Sequence, residues 1–169
     1  NARDVDRYLT RAGFDAVYVE YQGRGHEHFH DEIIRIFDWM NRYRRDFNRK
    51  EFECVSMRPW DQFFWWLELD RYPDRSMVLP INWPEPKANT ARTEARISSN
   101  NGIYVKTAAM DVLLYLNPDL VNFDERISIN GKKTEVAPDI EVLLEDVRSR
   151  GDRQHPFWAK LNPSVGRRR

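Results

Sequence analysis

Cysteine is almost missing from this chain: Cys54 is the only one among 169 residues. An internal disulfide framework and a multi-cysteine zinc site are therefore both excluded. Charge of one sign is missing too. Lys+Arg and Asp+Glu each number 27, so no global field draws the chain toward nucleic acid or an anionic membrane. No apolar run approaches the roughly 20 residues that a membrane helix requires, and no charged-then-apolar leader opens the sequence. The serines at 56, 76, 98, 99, 128, 149 and 164 never stand in a Gly-x-Ser-x-Gly setting, so no strand-turn-helix nucleophile elbow is written in these residues. The chain opens at Asn1-Ala2 without a methionine, which suggests a processed chain or a segment of a longer protein.

What is present is a globular composition, 41% hydrophobic and 13% aromatic, enough for one sizeable core or two small ones. Arg3 to Ala12 has Val5, Leu9 and Ala12 on one face and Gly13 as a stop, which predicts a short helix. Phe14 to Tyr21 (FDAVYVEY) predicts a strand covered on both faces. Asp31 is placed to cap a helix over DEIIRIFDWMNRYRRDF, with Ile33, Phe37 and Met40 on one stripe and Arg42, Arg44 and Arg45 at its negative end.

From residue 51 the texture changes. EFECVSMR, DQFFWWLELD and MVLPINW read as short strands of an antiparallel sheet, and Pro84 to Thr90 reads as a linker. ARTEARISS, NGIYVKTA, DVLLYLN and RISINGKKTEV continue the pattern, with Asn101-Gly102 and Asn130-Gly131 as hairpin signals. Asp139 to Arg150 predicts a helix that Gly151 ends. In the Trp-rich run, alternation sends Phe64 and Trp66 to a core and leaves Phe63 and Trp65 on the opposite face. Those aromatic rings could instead form a platform for carbohydrate or peptide. The fold class expected is α+β: an αβ portion over residues 1–50, then a β-rich, sandwich-like domain over 51–169 with one carboxyl-terminal helix. Arg167 to Arg169 form a basic tail, and Arg150-Gly151-Asp152 is explained by a helix stop.

The stretch EYQGRGHEHFHD holds His26, His28 and His30, and three readings of it stand side by side. As a metal site, the three would share one face of a strand, and His26-x-His28 with Glu32 mimics half of a cupin motif. The cupin glycines are missing, however, and His155 is the only other histidine. As a catalytic site, a histidine after a buried strand and before an amphipathic helix lies at the carboxyl end of an α/β sheet. There it can serve a serine as general base. The third reading is a Gly-rich loop without chemistry.

LTRAGFDAVYVEYQGRGHEHFHDEIIRIFDWM resembles the last helix, strand, histidine loop and helix of an α/β-hydrolase of the prolyl-oligopeptidase and esterase kind. The carrying features are Leu9 to Gly13, Phe14 to Tyr21, Gly23-Arg24-Gly25-His26 and the helix bearing Trp39. The resemblance implies that His26 is the catalytic histidine of a serine-dependent ester or peptide hydrolase. Nucleophile and acid would then precede Asn1, the chain would be inactive alone, and no metal or cofactor would be required. Residues 90–161 resemble the β-rich tail of large bacterial secreted hydrolases, which implies a secreted or periplasmic parent. The implied partners are the amino-terminal remainder of that parent and its substrate, with no nucleic acid and no membrane. A sheet edge left unpaired would let two copies pair. The competing class is a non-enzymatic module that binds carbohydrate or a neighbouring domain.

Overall fold

The computed structural model describes residues 2–77 and 89–163. The chain divides into two compact units, Asn1–Arg44 and Arg45–Arg169. The segment after Met77 that was expected as a strand, residues 84–88 of the expected linker and the basic tail lie outside the described residues. With three helices, nine strands and two sheets among the described residues, the fold is α+β and mostly strand.

In the first unit, α1 (Ala2–Arg11) and α2 (Glu32–Met40) carry no buried residue. Gly13, at φ +79°, ends the first helix as expected. The strand expected over Phe14 to Tyr21 does not form: these residues have no regular structure, and Phe14 and Val17 are 62% and 61% exposed. A covered strand needs a neighbour for its backbone groups, and no strand exists among the described residues of this unit. Polar bonds tie its segments together, beside the Tyr21–Phe29 and Trp39–Tyr43 ring pairs. The Arg3 Nε donates to Glu20 (2.7 Å) and so does the Tyr18 hydroxyl (2.9 Å), while the Tyr43 hydroxyl donates to Asp15.

The second helix also departs from expectation at both ends. Asp31 has helical dihedrals and its side chain makes no capping bond, because the helix is entered from a turn in which Glu32 N–H donates to the Phe29 carbonyl (3.1 Å). It closes at Asn41, so Arg42, Arg44 and Arg45 fall beyond its last turn.

The second unit builds two sheets from β1 (Glu51–Ser56), β2 (Phe63–Phe64), β3 (Leu67–Asp70), β4 (Ala91–Ile97), β5 (Gly102–Thr107), β6 (Asp111–Leu116), β7 (Ile127–Ile129), β8 (Lys132–Thr134) and β9 (Ala159–Leu161). One sheet has the order β1-β4-β5-β7-β8 and the other β2-β3-β6-β9. The expected strand at ARTEARISS forms as β4, and its side chains alternate. Ala91, Thr93, Ala95 and Ile97 of β4 point in, and Arg92, Glu94 and Arg96 point out. Leu67, Leu69, Val112, Leu114 and Leu116 from one sheet share an apolar core with Phe52, Ala95, Ile103 and Ile127 from the other. The first sheet is mixed rather than antiparallel, since β5 and β7 pair in parallel with Gly102 opposite Ser128.

Turn chemistry accounts for much of the rest. Asn130 and Gly131, at φ +47° and +86°, make the two-residue turn between β7 and β8, the conformation that Asn-Gly favours. Helix α3 (Ile140–Arg150) starts where the Asp139 carboxylate accepts from Glu141 N–H (2.8 Å) and ends at left-handed Gly151. Asp146, buried on α3, accepts from Arg150 Nε (2.6 Å) and from the Phe157 N–H (2.9 Å), binding the helix to the chain that leads into β9.

The Trp-rich run breaks its expected alternation at one place. Phe64 opposes Leu67, so Trp65 and Trp66 are themselves the loop of a two-residue hairpin. Trp65 takes φ +50°, a conformation uncommon for a bulky side chain. It is held there by an indole N–H bond to the Asp46 carbonyl (3.2 Å) and by the Phe52 ring at 4.6 Å. Trp66 is fully buried, and its indole N–H donates to the Arg49 carbonyl (2.9 Å). Trp65 therefore packs against the core instead of the outer face.

Trp66→Phe keeps an aromatic ring but leaves the Arg49 carbonyl without that donor. A loss of about 1–3 kcal/mol is expected, read as a lower urea midpoint at unchanged slope. In the first unit, the bonds from Arg3 and then Tyr18 hold Glu20 down at about 2. A depressed carboxylate stabilises above its unfolded value and loses that contribution as pH falls toward the folded one, so the Arg3–Glu20 tie should fail only between about pH 4.5 and 2. Carboxyl-resolved NMR titration checks this, with Arg3→Ala returning Glu20 upward.

Candidate functional site

His26 lies in an exposed turn between Gln22 and His30. Gly23 at φ +75° opens that turn, a backbone state that an L side chain adopts only with strain. At its base the Tyr21 and Phe29 rings stack, 5.1 Å between centroids at 19°. The Arg24 guanidinium lies 5.3 Å and 4.8 Å from those two rings, and its Nε donates to Glu27 (2.8 Å). Arg24 holds the Glu27 carboxyl below its usual range, and Glu27 raises the guanidinium in turn. The imidazole of His26 has no side-chain hydrogen bond among the described residues.

A general base needs a nucleophile and an orienting carboxylate within reach. Residues 1–44 contain neither serine nor cysteine, and Thr10 is their only aliphatic hydroxyl. Glu27, the nearest acid in sequence, is bonded to Arg24. Within its own unit, His26 is thus presented without partners. His28 and His30 are exposed with their rings stacked at 5.4 Å. No group of three His, Cys, Asp or Glu side chains able to hold a metal occurs among the described residues. The helix entry at residues 30–31 breaks the extended geometry that would have put the three imidazoles on one face.

In the second unit the buried serines are structural. The Tyr72 hydroxyl donates to the Asp61 carbonyl (2.8 Å), and the single Ser56 hydroxyl proton faces both that carbonyl (3.1 Å) and the Tyr72 oxygen (3.0 Å). Cys54 is half-buried, and burial, with Glu53 beside it, pushes its thiol up to about 11, the opposite of an activated nucleophile. Of the aromatic platform, Trp60 and Phe63 are exposed, at 61% and 46%.

One feature escaped the sequence. A groove of about 570 Å³ runs between α3 and the outer face of the β2-β3-β6-β9 sheet, with Phe63, Tyr115, Glu68, Lys160 and Glu145 among its lining. The Tyr115 hydroxyl donates to Glu68 (2.5 Å) and Lys160 sits 5.0 Å over the Tyr115 ring. Burial, then the Glu68 bond, raises the phenol. Its members are separated by up to about a hundred positions and meet only through strand register, for which the sequence offers no local signal.

No protein-family model, curated protein or solved structure matches the chain.

The raised Cys54 value has a testable sign. A thiol whose folded value lies above its unfolded one stabilises fully below the unfolded value and progressively less as pH rises toward the folded one. Cys54 should react slowly with a disulfide reagent at about pH 8, and stability should decline between about pH 9 and 11. Stopped-flow thiol assay and pH-dependent urea melts read both effects, which Cys54→Ser should abolish.

Proposed function

We propose that this chain is the carboxyl-terminal part of a serine-dependent ester or peptide hydrolase of the α/β-hydrolase kind, with His26 as its general base. The observation that carries the reading is the state of the first unit. Most of its apolar residues, among them Val17, Val19, Ile34, Ile36, Phe37 and Met40, are exposed, with Leu9, Ala16 and Trp39 only partly covered, while His26 stands in an open Gly-x-Gly-His turn. An apolar set of that size needs a cover. Strands and helices of a hydrolase body would supply it, pairing with the Phe14 to Tyr21 segment and making it the strand its composition favours.

In that setting the Gly-x-Gly-His turn belongs at the carboxyl end of the completed sheet, where such folds carry their chemistry. A serine from the body adds its Oγ to the substrate carbonyl while His26 Nε2 takes the proton. The proton then passes to the leaving amine or alcohol, and water releases the acyl group by the same relay. A body carboxylate is required to hold the imidazole, since Glu27 is engaged by Arg24. The parent's compartment on this reading is secreted or periplasmic.

A second reading assigns the β domain a binding role without catalysis. Its support is the α3 groove, ligand-sized at about 570 Å³, with the open face of Phe63 at its floor and Glu68, Tyr115 and Lys160 converging there.

The test compares the full-length gene product with this 169-residue chain, using a fluorophosphonate probe and p-nitrophenyl acetate. Labelling and turnover are expected in the full-length protein only, with His26→Ala lowering turnover on the order of 10⁴-fold or more. A full-length protein that neither labels nor turns over ester or peptide would remove the hydrolase reading and leave the binding one.

A further inference from the structure

We infer that Arg24 is a positioning residue for His26, its guanidinium tying the histidine turn shut from within. The inference rests on the reading of His26 as general base and concerns how that base is held. Gly23 and Gly25 flank Arg24, and a Cβ at either would meet nothing within 4 Å, so packing around the backbone does not restrain the turn. Two glycines in an open loop leave it many conformations, and a base that wanders is a poor base.

The restraint comes from side chains, and Arg24 is common to both parts of it. Its guanidinium carbon lies 5.3 Å from the centre of the Tyr21 ring and 4.8 Å from that of Phe29, within reach of both members of the stack that closes the loop's base. Its edge donates through Nε to Glu27. Arg24 and Glu27 are three positions apart with Gly25 and His26 between them, so the ion pair spans the crown of the turn and the imidazole projects from a tied segment. Only arginine can do both at once: a guanidinium stacks by its plane while bonding by its edge, whereas a lysine ammonium is a point donor. Glu27, held as an anion by this bond, anchors Arg24 and is not the acid partner of the imidazole.

The experiment uses the full-length protein with p-nitrophenyl acetate and compares Arg24→Ala, Arg24→Lys and His26→Ala, each checked for folding by circular dichroism. The expected result is that both Arg24 variants melt like the parent and lose about 10–100-fold in kcat at nearly unchanged KM, with a smaller loss for Glu27→Gln. Should Arg24→Ala fold poorly, Arg24→Lys carries the comparison, since it keeps the charge and loses only the stacked fork. Kcat within about twofold of the parent in Arg24→Lys, with His26→Ala inactive, would overturn the positioning role and leave the hydrolase reading standing. Activity retained in His26→Ala would overturn both. A loss confined to KM would mean that Arg24 contacts substrate and does not position the base, and would also overturn the inference.

Discussion

Two indole N–H groups organise the second unit. The Trp65 and Trp66 donors reach the carbonyls of Asp46 and Arg49, so a hairpin loop in one sheet is bonded to the segment that feeds the first strand of the other. That segment is secured again where Asn48 donates to Asp119 and accepts from Asn117, and where Ile97 N–H donates to the Lys50 carbonyl. β1 therefore enters its sheet already aligned with β4, and Phe52 meets both tryptophan rings. Trp65 tolerates positive φ because the surrounding bonds and ring contacts over-determine it, the condition under which strained residues persist.

The two units differ in the kind of force that holds them. In the second, alternating strands bury leucine, isoleucine and valine side chains from two sheets in one core, and stability follows area removed from water. In the first, ionic and phenolic ties and two aromatic pairs join its segments while most apolar residues face outward. Exposed ion pairs contribute little and are screened by salt. A unit so built has its hydrophobic contribution still to gain, which is why the proposed function turns on what covers it.

Legibility in the sequence followed the range of the signal. Features encoded within a few residues were readable: the Gly13 stop, the Asp139 cap, the helix end at Gly151, the Asn130-Gly131 turn and the strand at ARTEARISS. Features that depend on distant partners were not. FDAVYVEY has strand composition but no strand to pair with among the described residues of its unit. The Trp65-Trp66 turn carries none of the Gly, Asn or Asp that mark such loops, so the run looked like one continuous strand. The parallel β5-β7 pair needs a crossover that no short motif announces. At the candidate site, His26 and its glycines were evident from spacing, whereas the Arg24 clamp needed the ring geometry of Tyr21 and Phe29.

Asp146 carries one further consequence. Its buried carboxylate gathers Arg150 from its own helix and the Phe157 N–H from the following loop, and Asp139 N–H returns to the Trp158 carbonyl. If α3 leaves, Asp146 and Arg150 go with it as a pair, but the Phe157 N–H loses its acceptor and the Trp158 carbonyl its donor. The bonds from Asp139 and Asp146 to the Phe157–Trp158 backbone therefore couple the opening of α3 to the chain that leads into β9.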